Sequence, residues 1–81
     1  MNVRVKLFAV AKQAAGADFV DLEVPEPATV AAIRDALVTT LPDLAAARKH
    51  LLFAVNAEYA ADAKLVKSND EVACIPPVSG G

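Results

Sequence analysis

The stretch FVDLEVPEPATVAAIRDALVTTLP, Phe19 to Pro42, changes its apolar period halfway along. Val20, Leu22 and Val24 alternate with Asp21 and Glu23, the period of two expected of a strand with one buried face, and Pro25 stops it. From Thr29 onward Val30, Ile33, Leu37 and Leu41 recur at helical spacing, with Arg34 and Asp35 on the outer side, until Pro42 ends the run. Thr29 is placed as the N-cap; the residue three further on is Ala32, so no capping box forms. A half-buried strand followed by an amphipathic helix predicts a helix lying over one face of a sheet.

Toward the amino terminus, Val3, Val5 and Leu7 alternate with Asn2, Arg4 and Lys6, which predicts a strand from Asn2 to Val10. Parity places Phe8 beside Arg4 and Lys6, on the side where the pattern expects solvent. Ala11 to Ala15 reads as a turn of helix before Gly16, which suits a helix end. Toward the carboxyl terminus, Asp43 to Lys49 is Ala-rich and reads as one or two further helical turns. Leu51 to Val55 reads as a strand covered on both faces, Ala57 to Asp62 as a loop, Lys64 to Lys67 as a short edge strand, and Glu71 to Ile75 as the last strand. Ser68, Asn69 and Asp70 mark a turn. The resulting order predicts an α+β domain: a mixed sheet with one main helix packed on one face.

Composition limits the function. With 81 residues there is room for one small domain. Val, Ile, Leu and Phe occupy twenty-four positions, enough for a packed core. A domain of this size buries only about 60–65% of its unfolded surface, so function is expected on its surface or at an end. The net charge of −2 with scattered basic residues disfavours nucleic acid. The single cysteine, Cys74, excludes an internal disulfide and points to a reducing compartment, the cytoplasm. No apolar run approaches the ~20 residues of a membrane span, and the start is unlike a signal peptide.

Catalytic residues are sparse. His50 has no nucleophile arranged beside it and reads as a surface residue. Cys74 shares the apolar parity of Val72 and reads as a small buried hydrophobe with no metal partner nearby. Glu58 and Asp62, four apart in an expected loop, read as solvated charges.

The end of the chain differs. Glycine occurs once in the first seventy-nine residues and then as Gly80 and Gly81. Pro76 and Pro77 withdraw two backbone donors and stop the last strand, so residues 1–77 are expected to form the body and Val78 to Gly81 a flexible arm. A backbone without Cβ suits a channel too narrow for side chains, which makes the Gly81 carboxylate the candidate reactive group and Val78, Ser79 and Gly80 its lead-in.

Asp70-Glu71-Val72-Ala73 followed by Ile75-Pro76-Pro77-Val78-Ser79-Gly80-Gly81 resembles the closing segment of the sulfur-carrier (small) subunits of molybdopterin synthase, which are ubiquitin-like β-grasp proteins. Val5-Lys6-Leu7-Phe8-Ala9 with Gly16 beyond, and Leu51 to Asn56 ending Ala-Val-Asn, are similar to that family's first and central strands. Ile75 departs from the family's frequent aromatic and Tyr59 from its frequent Leu. The resemblance implies that a ubiquitin-activator-like enzyme adenylates Gly81 with ATP, and that a sulfur donor then leaves a terminal thiocarboxylate. The arm would enter the large subunit and convert cyclic pyranopterin monophosphate to molybdopterin, in a heterotetramer. This chain would bind no cofactor or metal and supply no catalytic side chain. Related readings are a carrier for thiazole or another thiolated product, and a ubiquitin-like protein modifier.

A free carboxylate is a poor electrophile, so its activation must come from another protein. Ordering four arm residues costs roughly 4–8 kcal/mol. Each large apolar side chain buried on docking returns about 1.5–3 kcal/mol, so two or three are expected beside the arm. Phe8, Ile75 and Tyr59 are the candidates, with Pro76 and Pro77 completing the partner interface.

Overall fold

The computed structural model describes residues 1–77; the sequence-predicted arm, Val78, Ser79, Gly80 and Gly81, lies outside the described residues. The predicted strand–helix pair is present. β2 spans Phe19–Glu23, and helix α2 spans Val30–Thr40. The Thr29 hydroxyl accepts a hydrogen bond from Ala32 N–H at 3.2 Å, capping α2 as expected. Val30, Ile33 and Leu37 form its buried stripe.

Strand β1, Asn2–Leu7, ends before the expected Val10 because Ala9 turns left-handed at φ 51 and opens helix α1, Ala9–Ala15. The apolar Phe8 continues the strand pattern past the point where the backbone leaves it. Gly16, at φ 68, closes α1 and donates its N–H to the Lys12 carbonyl at 2.9 Å. After α2, Pro42–His50 is a 3₁₀ segment.

β4, Leu52–Val55, turns into β5, Glu58–Ala60, through Asn56 and Ala57, both with positive φ (52 and 69). A two-residue loop with both residues left-handed is the type I′ hairpin turn. The loop expected over Ala57 to Asp62 therefore contains a strand, hidden because Asn-Ala lacks the glycine that usually marks this turn. An L-residue in this conformation costs about 1–2 kcal/mol, partly offset by glycine's larger unfolded-state entropy. Ala57→Gly is expected to raise the melting temperature by roughly 2–4 °C; an unchanged or lower value in a thermal melt would show that the turn carries no strain.

The main sheet runs β2-β1-β7-β4-β5, with β7 at Val72–Ile75. β1 and β7 are parallel, and the other pairs are antiparallel. The edge strand expected over Lys64 to Lys67 is β6, Leu65–Val66, which pairs with β3, Ala28–Thr29, in a separate two-stranded sheet. Helix α2 lies on one face of the main sheet, over a core that includes Val3, Val5, Leu7, Leu22, Phe53 and Val72. This is the ubiquitin-like β-grasp arrangement.

Two burial expectations change. β4 is covered on one face only: Phe53 and Val55 are buried, while Leu52 is 53% exposed. Arg34, expected outside, keeps only 14% of its side chain exposed. The 3₁₀ segment and the loop after β5 close over it. Its guanidinium bonds the Asp62 carboxylate at 2.7 Å and the Leu51 carbonyl at 3.3 Å and lies 5.2 Å from the Phe53 ring centroid. Asp62 is thus half of an ion pair, while Glu58 is exposed.

Candidate functional site: the open sheet face and the root of the arm

Strand β7 carries the chain to the arm through the middle of the sheet, held by β1 on one side and β4 on the other. A polar latch fixes its start. The Asn56 side chain donates to Asp70 Oδ1 at 3.1 Å and accepts from Glu71 N–H at 2.9 Å, while Asp70 Oδ2 accepts from Lys67 N–H at 2.8 Å. These bonds hold the Asp70 carboxyl below the usual carboxylate range, the Lys67 backbone N–H first and the Asn56 amide second. Cys74, as expected, faces the core; burial pushes its thiol up to about 11, so at neutral pH it is a packed thiol and not a nucleophile. Past β7, Pro76 is buried and Pro77 exposed, so Pro77 alone of the pair offers surface at the root of the arm.

The face of the sheet opposite α2 is open. Lys6 pairs with Phe19 on one side and Ala73 on the other; Ala73 pairs with Ala54, and Ala54 with Tyr59. Phe19, Lys6, Ala73, Ala54 and Tyr59 thus make one row across all five strands. Ile75 and Leu52 pair in the next row, nearer the arm. Phe8, just past the end of β1, leans onto the same side, with its ring centroid 5.3 Å from Lys6 Nζ. Phe8, Phe19, Leu52 and Tyr59 are 40, 48, 53 and 72% exposed, and Ile75 is half-buried. The remaining large exposed apolar side chains, Val10 and Leu65, belong to α1 and β6.

The fold therefore brings the sequence candidates Phe8, Tyr59 and Ile75 to one face and adds Leu52 and Phe19 to them. Phe19 was legible: it shares the parity of Asp21 and Glu23. Leu52 was not, because the run from Leu51 to Val55 does not reveal which side is uncovered. Beside this patch Arg4 bonds Asp21 at 2.9 Å and holds its carboxyl below the usual range. His50 is exposed. Among the described residues no group of three His, Cys, Asp or Glu is placed to hold a metal ion, and no helix is long and apolar enough to cross a membrane.

The profile of the ThiS family matches residues 5–81. This chain belongs to the ThiS family. Its relatives include the molybdopterin synthase sulfur carrier subunit of Arabidopsis thaliana, 37% identical over 81 residues that cover all of this chain and 84% of the relative. The subunit of the same name from Dictyostelium discoideum is 40% identical over 82 residues, covering 96% of this chain and 94% of its own. Among solved structures, SAMP1 from Haloferax volcanii, a small archaeal modifier protein, superposes with a TM-score of 0.84 at 35% identity over the whole of both chains. The family match extends through the terminal glycines to Gly81.

Proposed function

We propose that this chain is the sulfur carrier of a molybdopterin synthase. The Gly81 carboxylate attacks the α-phosphate of ATP on a ubiquitin-activator-like enzyme, releasing pyrophosphate. A sulfur donor then displaces AMP and leaves the thiocarboxylate. Val78, Ser79 and Gly80 enter the large subunit, where the sulfur is passed to cyclic pyranopterin monophosphate.

The observation that carries this reading is the family match through the terminal Gly-Gly. It is supported by the names of the full-length relatives. The division of labour follows from chemistry. A carboxylate needs activation from outside, and the globule's task is to place it.

Docking is assigned to the open face. Phe8, Phe19, Leu52 and Tyr59 are 40, 48, 53 and 72% exposed, so covering what remains of them returns about 3–6 kcal/mol, comparable with the roughly 4–8 kcal/mol of ordering four arm residues. Phe8→Asp is expected to weaken large-subunit binding at least about tenfold with the melting temperature unchanged, since Phe8 lies outside the core. Calorimetric titration measures this; equal affinity would move the interface elsewhere.

The likeness to SAMP1 favours a second reading, a protein modifier whose Gly81 forms isopeptide bonds with lysines. Incubation with the activating enzyme, ATP and a sulfur donor separates the two. A carrier gains a mass equal to the exchange of one oxygen for sulfur and then makes molybdopterin with the large subunit. A modifier yields conjugates to other proteins.

A further inference from the structure

The open face carries one basic side chain without an ion pair among the described residues. Arg4 on β1 bonds Asp21 at 2.9 Å and Lys12 on α1 bonds Asp18 at 2.8 Å, whereas Lys6 on β1 has no ion pair among the described residues. Its row holds only apolar neighbours: Phe19 on the β2 side, then Ala73, Ala54 and Tyr59. The ammonium leans toward the Phe8 ring, 5.3 Å away. The acids nearest Lys6 are already engaged: Asp18, whose carboxyl feels the Lys6 charge, is bonded to Lys12. Asp21 is already held by Arg4, and Glu71 lies two residues before Ala73 on β7.

In the free protein the ammonium is hydrated, and the aromatic contact is worth about 0.5–1 kcal/mol. A partner that covers Phe8, Phe19, Leu52 and Tyr59 strips that water away. A desolvated cation with no counter-charge opposes binding strongly, and an aromatic face does not compensate it. A lysine at the border of a patch escapes by extending its stem to the rim. Here Phe8 and Phe19 flank Lys6, and the nearby carboxylates of Asp18 and Asp21 are bonded to Lys12 and Arg4, so the fitting counter-charge is an anion supplied from across the interface.

We propose that the partner seated on this face presents an Asp or Glu carboxylate opposite Lys6, set in an otherwise apolar surface. The inference rests on the reading of this face as the docking surface. The apolar residues supply contact, and the ion pair discriminates: an apolar surface lacking the carboxylate would bury Lys6 unpaired and be rejected.

The test is binding of the full chain to the cognate molybdopterin synthase large subunit, with thermal melts confirming that each variant is folded. Lys6→Met keeps the stem and removes the charge, leaving the partner's carboxylate buried alone. It is expected to weaken binding at least about tenfold, Lys6→Glu at least about a hundredfold, and Lys6→Arg less than about threefold. Carbodiimide treatment of the complex is expected to join Lys6 to an acidic residue of the large subunit; coupling confined to other lysines counts against the pair. Lys6→Met binding as tightly as the natural chain, while Phe8→Asp still weakens it, overturns the ion pair and leaves the docking face standing. If neither substitution matters, the docking face itself fails and the inference with it.

Discussion

Deletion of Gly81 is expected to lower thiocarboxylate formation at least about a hundredfold while leaving thermal unfolding unchanged. Removing one residue retracts the terminal carboxylate by about 3.5 Å, and a misplacement of about 1 Å in a reacting group is enough for a hundredfold loss. Adding residues beyond Gly81 acts through the same cause, since it converts the carboxylate to an amide. Neither change reaches the core, whose members run from Val3 to Cys74. The measurement is intact mass after incubation with the activating enzyme, ATP and a sulfur donor. A shortened chain thiolated at a tenth of the natural rate or faster would disprove the proposed role of Gly81.

The second large effect is on stability. Phe53 lies on β4, paired with Cys74 on one side and Ala60 on the other, and is 1% exposed. Above its ring sits the Arg34 guanidinium, which also bonds Asp62 and the Leu51 carbonyl. Phe53→Ala removes the packing of a full aromatic ring at a typical cost of about 3–5 kcal/mol. It also opens the space beneath a mostly buried cation. For a domain of this length the total stability is roughly 4–12 kcal/mol, so the variant is expected to be largely unfolded or close to it at 37 °C. Urea denaturation decides the matter, and a loss below about 1.5 kcal/mol would mean that the neighbouring strands collapse around the gap.

Under the proposed function, residues 1–77 bear the stability and residues 78–81 the chemistry, with β7 leading from one to the other. The latch of Asn56, Asp70 and Glu71 and the two flanking strands hold the strand that leads to the arm. Ile75 and Leu52 pair in the row of the open face nearest Pro77. In the proposed docking, a partner on Phe8, Leu52 and Tyr59 therefore sits next to the end of β7.

Much of this was legible in local pattern. The Thr29 cap, the Val30, Ile33 and Leu37 stripe, the alternation of β1 and β2, the inward Cys74 and the unusual terminal glycines follow from each residue and its near neighbours. Elements were lost where the local signal was short or mixed. Phe8 prolonged the apolar reading of β1 beyond its end, and Asn56-Ala57 made a hairpin turn without its usual glycine. β3 is two residues long, too brief for any period to declare itself.

Amphipathic period and backbone preference are properties of neighbouring residues, so they are written in the order of the chain and were readable there. Strand order is different, because it depends on pairings between segments far apart, and a period of two says which residues share a face without saying which strands share a sheet. Only the order β2-β1-β7-β4-β5 places Phe19, Leu52 and Tyr59 on one surface with Lys6 among them. Arg34 makes the same point from within: its helical position faces outward, and it is enclosed because the 3₁₀ segment and Asp62 fold over it.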